Sequence, residues 1–155
     1  MRTFSLFGRL IAAIVLTGLL SACQTLGQAG LIQSTVTAEL SPEAANAIAS
    51  DMVGRLAEQA GPSSTTIRFT PDASVFGQAL EASLKSWGYA VITDQKTDEA
   101  SILALAYTVD EFEGAVLVRL STLRFDLTRM YKPGTGGAAP VSPLSILQHG
   151  SAGMT

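Results

Sequence analysis

The chain has 155 residues, a formal net charge of −3 and a single cysteine. This length suits one domain, and one cysteine excludes an internal disulfide framework. Acidic side chains outnumber basic ones, 13 to 10, so the chain lacks the positive footprint of nucleic-acid-binding proteins, and we expect no direct contact with nucleic acid.

The first predicted element is a secretory signal. Residues 1–9 contain two arginines and no acid, residues 10–20 form an apolar run, and two small residues follow. The apolar run is too short to span a bilayer, because a membrane helix needs about 20 residues. We therefore expect residues 1–22 to be a signal peptide, whose removal makes the mature chain two charges more acidic.

The only cysteine follows this apolar run directly, in the stretch Leu20-Ser21-Ala22-Cys23. These four residues resemble the bacterial lipobox, in which the cysteine receives a diacylglyceryl group and becomes the first residue of the mature chain. We expect Cys23 to be a lipidation site, because two or three acyl chains hold a protein on a bilayer. The alternative is an ordinary signal peptide with an incidental cysteine.

Gln24 stands where an aspartate would retain a lipoprotein at the inner membrane. The resemblance to sorted lipoproteins therefore implies transport to the outer membrane, and we expect a domain that faces the periplasm.

Residues 23–40 are predicted to be the lipidated N-terminus and a linker. They are rich in Gln, Gly, Ser and Thr, carry no charge before Glu39 and show no sustained apolar period. At up to ~3.5 Å per residue, such a segment reaches some tens of ångströms from the bilayer. Its β-branched residues also allow part of it to add a strand to a partner, but a plain spacer is the favoured interpretation.

Two helices are predicted in the folded domain, residues 41–132. The first begins at the cap Ser41 and ends before Gly61, and the second begins at the cap Thr70 and ends at Gly88. Four large apolar side chains of the second helix recur at intervals of nearly four residues: Phe76, Leu80, Leu84 and Trp87. This spacing predicts that all four pack the second helix onto a sheet.

The remaining elements of the domain are predicted strands, located at residues 65–69, 89–93, 101–109, 115–122 and 123–131. The stretch 102–109 is apolar on both faces, which predicts a central strand. Short connections favour antiparallel neighbours. The predicted fold class is α+β, a small domain with two helices on one face of a mostly antiparallel sheet of four to five strands.

Residues 133–155 are predicted to be a flexible tail rich in Gly and Pro. Within this tail, Leu144, Ile146 and Leu147 form an apolar cluster that must fold back on the domain or dock to another subunit. The two-residue spacing of Leu144 and Ile146 favours addition to an exposed sheet edge, with an amphipathic turn as the alternative. These three residues are therefore our candidates for partner docking.

We expect no catalytic, cofactor or metal site. An enzyme needs a nucleophile with a base, paired acids or metal ligands, whereas His149 lies in the tail and Cys23 is expected to carry lipid. The acidic turn with Asp110, Glu111 and Glu113 lacks the ligand spacing and central glycine of a calcium loop. Four arginines on or beside strands could form a row for an acidic partner, although simple charge balance is favoured: Arg68, Arg119, Arg124 and Arg129.

Four stretches of the chain are distinctive as phrases: SPEAANAIASDMVGRLAEQ, FGQALEASLKSWGYAVITDQK, VLVRLST and SPLSILQHG. Together they resemble the TrbH conjugal transfer proteins, lipoproteins encoded with the mating-pair-formation genes of conjugative plasmids. The likeness runs from about residue 41 to residue 150. None of the four is a chemical motif, so the resemblance supplies no catalytic residue, and only Cys23 falls on a functional position.

This resemblance implies a structural component of a type IV secretion system, which helps to seat an outer-membrane core complex with TrbG-like and TrbI-like subunits for plasmid DNA transfer. The likeness of SPLSILQHG to the closing segment of the family also favours an intermolecular role for the tail. The alternative function is a lipid-anchored periplasmic module that binds peptidoglycan or a small ligand. This chain lacks the TDxxG phrase of OmpA-type peptidoglycan modules.

Overall fold

The computed structural model of the protein describes residues 34–93 and 102–150. The predicted signal peptide, Cys23 and most of the predicted linker lie outside the described residues. Within these residues the helices and strands follow in this order: β1 (Thr35–Val36), α1 (Pro42–Gln59), β2 (Thr66–Arg68), α2 (Val75–Ser86), β3 (Ala90–Ile92), β4 (Ile102–Ala104), β5 (Ala106–Phe112), β6 (Ala115–Ser121), β7 (Phe125–Gly134), β8 (Gly137–Pro140) and β9 (Ser145–Gln148). This content confirms the predicted α+β class.

Neither described helix has the combination of length and apolar character that a membrane crossing requires.

The first helix, α1, begins where its sequence predicts. Ser41 is the cap, and its Oγ accepts a hydrogen bond of 3.2 Å from the Ala44 amide, while Pro42 occupies the first helical turn. The apolar stripe of α1 is fully buried, and its members include Ala45, Ile48, Ala49, Met52, Val53 and Leu56. The helix therefore contributes one complete face to the core.

The second helix, α2, begins later than predicted. Its cap is Ser74, whose Oγ accepts a 2.9 Å hydrogen bond from the Gly77 amide. Asp72 forms a local turn by accepting a 3.0 Å hydrogen bond from the Ser74 amide, and this turn occupies the residues after Thr70. The prediction of Thr70 as cap is wrong, because two acceptable cap residues lie close together and the second has the better local support.

Trp87 does not pack α2 onto a sheet, so this part of the prediction is wrong. Phe76, Leu80 and Leu84 are buried, but Trp87 is 45% exposed. Trp87 follows the last helical residue, and its ring lies beside α1, where a Cβ placed on Gly54 would be 3.3 Å from Trp87 Cζ2. Because Trp87 lies beyond the last helical residue, the helical spacing does not predict the direction of its indole ring.

The strands form two sheets. In the smaller sheet, β2 lies between β3 and β4 and pairs in parallel with both. In the larger sheet the order is β1-β5-β6-β7, and both β8 and β9 pair with β7. The pairs among β5, β6, β7, β8 and β9 are antiparallel, so the mostly antiparallel character is confirmed.

The predicted central strand at residues 101–109 is divided between the two sheets. Its first part, β4, pairs with β2 in parallel, and its second part, β5, pairs with β6 in antiparallel fashion. Leu105 lies between them, is buried, and donates from its amide to the Arg68 carbonyl at 2.9 Å. A run that is apolar on both faces therefore reflects burial in two successive sheets here, and not one central strand.

The predicted flexible tail is ordered into strands up to residue 148, which corrects the expectation of a loose arm beyond Lys132. β7 continues through Gly134, turns and pairs with β8. Gly136 has a φ of +89°, a conformation that glycine adopts without steric cost. The Gly-rich stretch is thus a hairpin turn, and turn glycines cannot be distinguished from linker glycines by composition.

One apolar core joins both helices to the inner face of the larger sheet. Along β6 the residues alternate, and Val116, Val118 and Leu120 are buried. On β7 the buried partners include Leu127 and Tyr131. The opposite face of β6 and β7, which we call the outer face, lacks this burial and is therefore accessible to partners.

Candidate functional site: the edge of the larger sheet

The tail residues lie along the open edge of β7. β8 pairs with residues 131–134 of β7, and β9 pairs with residues 125–128. Between β8 and β9 the pairing register shifts by two residues, so the connecting residues 141–144 form a bulge against β7. The predicted addition of a strand to an exposed sheet edge therefore occurs within this chain.

The three candidate docking residues point in different directions. Leu144 packs against the apolar core. Ile146 lies opposite the buried Leu127, on the inner face, yet is 42% exposed at the rim. Leu147 lies opposite Asp126 on the outer face and is 60% exposed. The structure therefore leaves two of the three available to a partner and uses the first for the fold of the domain.

Hydrogen bonds fix the chain just before β9. The Met130 amide donates to Ser142 Oγ at 2.9 Å, and Arg129 Nε donates to the Ser142 carbonyl at 3.1 Å. The Val141 amide donates to the Met130 carbonyl at 2.9 Å. Ser142 is thus the fixed point from which the last strand departs.

A second contact lies just after β9. The His149 amide donates to the Arg124 carbonyl at 2.8 Å, and His149 Nε2 lies 3.1 Å from Asp126 Oδ1. All four residues of β9 are exposed. The strand is therefore held by its backbone ladder to β7 and by this one side-chain contact, and not by burial.

A polar network joins α1 to β7 beneath this edge. Asp51 Oδ2 accepts hydrogen bonds from Arg129 Nη1 at 2.8 Å and from the Tyr131 hydroxyl at 2.6 Å. Burial raises the pKa of Tyr131, and its hydrogen bond to the Asp51 carboxylate raises it further, so this hydroxyl remains a donor. The network therefore positions the strand to which β9 binds.

The predicted row of arginines is not assembled. Arg129 points inward to Asp51, whereas Arg119 is exposed on the outer face of β6. Arg68 belongs to the smaller sheet, and Arg124 lies in the turn before β7. Ordinary charge balance, the interpretation favoured from the sequence, fits this separation.

The outer face carries exposed and half-buried apolar side chains near β8 and the bulge. Met130 and Leu117 are register partners on β7 and β6, and Val141 follows on the other side of Met130. Val141 is 57% exposed and Phe112, at the end of β5, is 58% exposed. We call Phe112, Leu117, Met130 and Val141 the outer apolar patch. Leu147 is a separate exposed apolar side chain of the same face, because its register partner Asp126 lies four residues along β7 from Met130.

The acidic turn has a structural role: it binds the N-terminal segment and forms a tight hairpin. Asp110 Oδ1 accepts a 2.8 Å hydrogen bond from Thr37 Oγ1, which ties the N-terminal segment to β5. Glu113 has a φ of +50° and Gly114 a φ of +71°, as a tight hairpin requires. Across residues 34–93 and 102–150, no group of three or more His, Cys, Asp or Glu side chains is arranged to hold a metal ion.

A cavity of about 300 Å³ lies between the N-terminal segment and the start of α2, and its lining consists of Val36, Ala38, Glu39, Leu40, Ser74, Val75 and Phe76. Glu39 is the only charged residue of this lining. A site for peptidoglycan needs several convergent polar groups, and this mostly apolar lining offers few. The lining of the cavity therefore does not favour peptidoglycan as a ligand.

The comparisons with known proteins agree on one family and cover most of the chain. A family described as "Conjugal transfer protein TrbH" matches residues 26–150. The "Probable conjugal transfer protein TrbH" of Sinorhizobium fredii (strain NBRC 101917 / NGR234) is 46% identical over 145 residues, which cover 90% of this chain and 97% of that protein. No solved structure gives a significant match. The matched range contains every described element, including β9 and the bulge before it.

Proposed function

This chain belongs to the TrbH family of conjugal transfer proteins, and from that premise we propose that it is a lipid-anchored structural component of a conjugative type IV secretion system. A role in conjugal transfer follows from family membership. The observation that carries the proposal is the 46% identity to a conjugal transfer protein along nearly the whole of both chains. We propose that the chain supports assembly or anchoring of the outer-membrane core complex.

The proposed membrane attachment is the lipid on Cys23. The lipobox-like stretch before it supports this attachment, as does Gln24 for sorting to the outer membrane. From Cys23 to Ser34, a fully extended chain spans at most about 38 Å. We therefore propose that the domain works in the periplasm within a few tens of ångströms of the outer membrane.

The proposed partners are other subunits of the transfer channel, of TrbG-like and TrbI-like type. Three exposed apolar side chains on the outer face support docking there: Phe112, Val141 and Leu147. Exposed apolar patches on soluble domains commonly mark protein interaction sites. We therefore propose that the chain acts by binding these subunits.

The anchor is tested with Cys23→Ser in donor cells that lack the wild-type gene. We expect the variant to incorporate no labelled palmitate, to leave the membrane fraction and to lower the frequency of plasmid transfer. Gln24→Asp is the matched control, because it keeps the thiol and is expected to keep the label while moving the protein to the inner membrane. Equal labelling of Cys23→Ser and wild type would contradict lipidation at this residue.

A further inference from the structure

We propose that β9 is exchanged between copies of this chain, so that Ser145–Gln148 of one copy pairs with residues 125–128 of β7 in a neighbouring copy. The inference goes beyond the proposed function and does not depend on lipidation or on a channel partner. It concerns how copies of the protein associate with one another.

The first observation is that β9 contributes little burial to the domain. All four of its residues are exposed, and its backbone pairs with β7 alone among the described strands. A segment with few buried apolar contacts detaches locally at a cost far below that of global unfolding. Release of β9 then leaves residues 125–128 of β7 without a backbone partner. Leu127, which is fully buried when β9 is paired, is one of these residues.

The second observation identifies the occupant of that edge. The groups along this edge pair with the tail of this chain: Ile146 lies opposite Leu127, and His149 contacts both Asp126 and the Arg124 carbonyl. Every other copy of the chain carries the same strand and makes the same contacts. A second copy is therefore a partner whose fit to this edge is known from the structure.

The third observation is the bulge at residues 141–144. Ser142 is fixed to β7 by the Met130 amide and by Arg129 Nε, so the chain before it stays in place when β9 leaves. Pro143 and Leu144 separate this fixed point from β9, and because Leu144 packs against the apolar core, the strand leaves the domain immediately after Leu144. A short connection of this kind is a hinge at which a small rotation directs the strand to its own domain or to a neighbour.

In the closed form β9 pairs with β7 of its own copy, and in the exchanged form it pairs with β7 of a neighbour. Both forms contain the same strand pairing, so the equilibrium between them depends on the hinge and on the local concentration of copies. Attachment of many copies to one surface or assembly raises the effective concentration and favours exchange. Because each copy donates one strand and accepts one strand, the association forms a reciprocal pair, a ring or an open chain of copies. Each copy therefore has the same number of paired strand edges before and after exchange.

The test uses the full chain with Cys23→Ser, which removes its only native thiol. Two differently tagged copies are produced together, one with Thr128→Cys and the other with Ser145→Cys. Residues 128 and 145 are register partners in the ladder, and antiparallel partners about 4.5–5.5 Å apart at Cα lie within disulfide range. We expect mild oxidation to give a disulfide-linked heterodimer that increases with protein concentration and disappears on reduction.

The matched control pairs Arg119→Cys on one copy with Thr128→Cys on the other. Arg119 also lies opposite Thr128, but on the central strand β6, which is not exchanged. A single chain that carries both Thr128→Cys and Ser145→Cys verifies that the substitutions permit folding and that the thiols react. Exchange is overturned if that chain forms its disulfide within one molecule while the mixed copies give no more heterodimer than the control pair.

Discussion

At the scale of single residues, Asp51 joins α1 to β7, the strand that carries the sheet edge. Its carboxylate accepts from Arg129 and from Tyr131, and the side chains of Asp51 and Arg129 are 28% and 16% exposed. Partial burial makes the loss of one partner expensive, because the other charge is left poorly solvated. The same pair supports the Ser142 anchor through Arg129 Nε.

Asp51→Ala is therefore expected to lower the free energy of unfolding by about 1–3 kcal/mol, a value reduced from that of a fully buried pair because both groups retain some solvent. The measurement is a urea melt of the Cys23→Ser chain. Lys85→Ala is the control, since its exposed ion pair with Glu81 lies on α2, apart from the Asp51 network, and is expected to be worth less than about 0.5 kcal/mol. Equal effects of the two substitutions would contradict a structural role for Asp51.

We expect the free energy of unfolding to depend on pH through Tyr107, and the burial of this side chain sets the direction of that dependence. Burial raises the pKa of Tyr107 from 10.0 to about 12. Because the folded state retains this proton more tightly than the unfolded state, the stability is complete below pH 10 and falls as the pH rises toward 12. Tyr107→Phe is expected to make the alkaline fall in unfolding free energy shallower. The prediction fails if urea midpoints measured between pH 9 and about pH 11.5 fall equally steeply for variant and wild type.

At the scale of elements, local pattern was enough to predict α1, its Ser41 cap and the alternating strand β6, because each is specified by neighbours within a few residues. The division of residues 101–109 at Leu105 was not predictable, since it depends on pairing with β2 and β6 far along the chain. The same holds for β9: the apolar spacing indicated a strand, but not which edge it joins. Asp51 and Arg129 lie 78 residues apart, so no local signal connects them.

The end of α2 provides a direct test of this distinction. Trp87→Ala is expected to cost about 1 kcal/mol, because the indole is 45% exposed, whereas Leu84→Ala is expected to cost about 2–5 kcal/mol, because Leu84 is fully buried. Urea melts of both variants supply the comparison. A loss for Trp87→Ala as large as that for Leu84→Ala would mean that the indole supports the core.

At the scale of the whole molecule, the proposed function combines three parts: an anchor at Cys23, a folded domain and exposed apolar side chains on the outer face. Family membership gives a role in conjugal transfer. The proposed anchor and docking face are the means by which the domain would contribute to that role. Binding is then expected to depend on exposed side chains whose removal leaves stability unchanged.

Val141→Ser combined with Leu147→Ser tests that expectation. Both residues are more than half exposed, so we expect changes in unfolding free energy within about 0.5 kcal/mol, together with a lower frequency of plasmid transfer. The comparison variant is Leu123→Ser, which removes a side chain of similar exposure, 50%, in the turn before β7. Transfer at the wild-type frequency by the double variant would remove the outer face from the proposal.

The measurement that tests the central claim most directly is affinity purification of the tagged full chain from donor cells that carry or lack the other transfer genes. We predict that TrbG-like or TrbI-like subunits are recovered from the complete donor and that the double variant Val141→Ser, Leu147→Ser recovers fewer of them. Recovery of peptidoglycan fragments in both strains, with no transfer subunit in either, would contradict a structural role in the secretion channel.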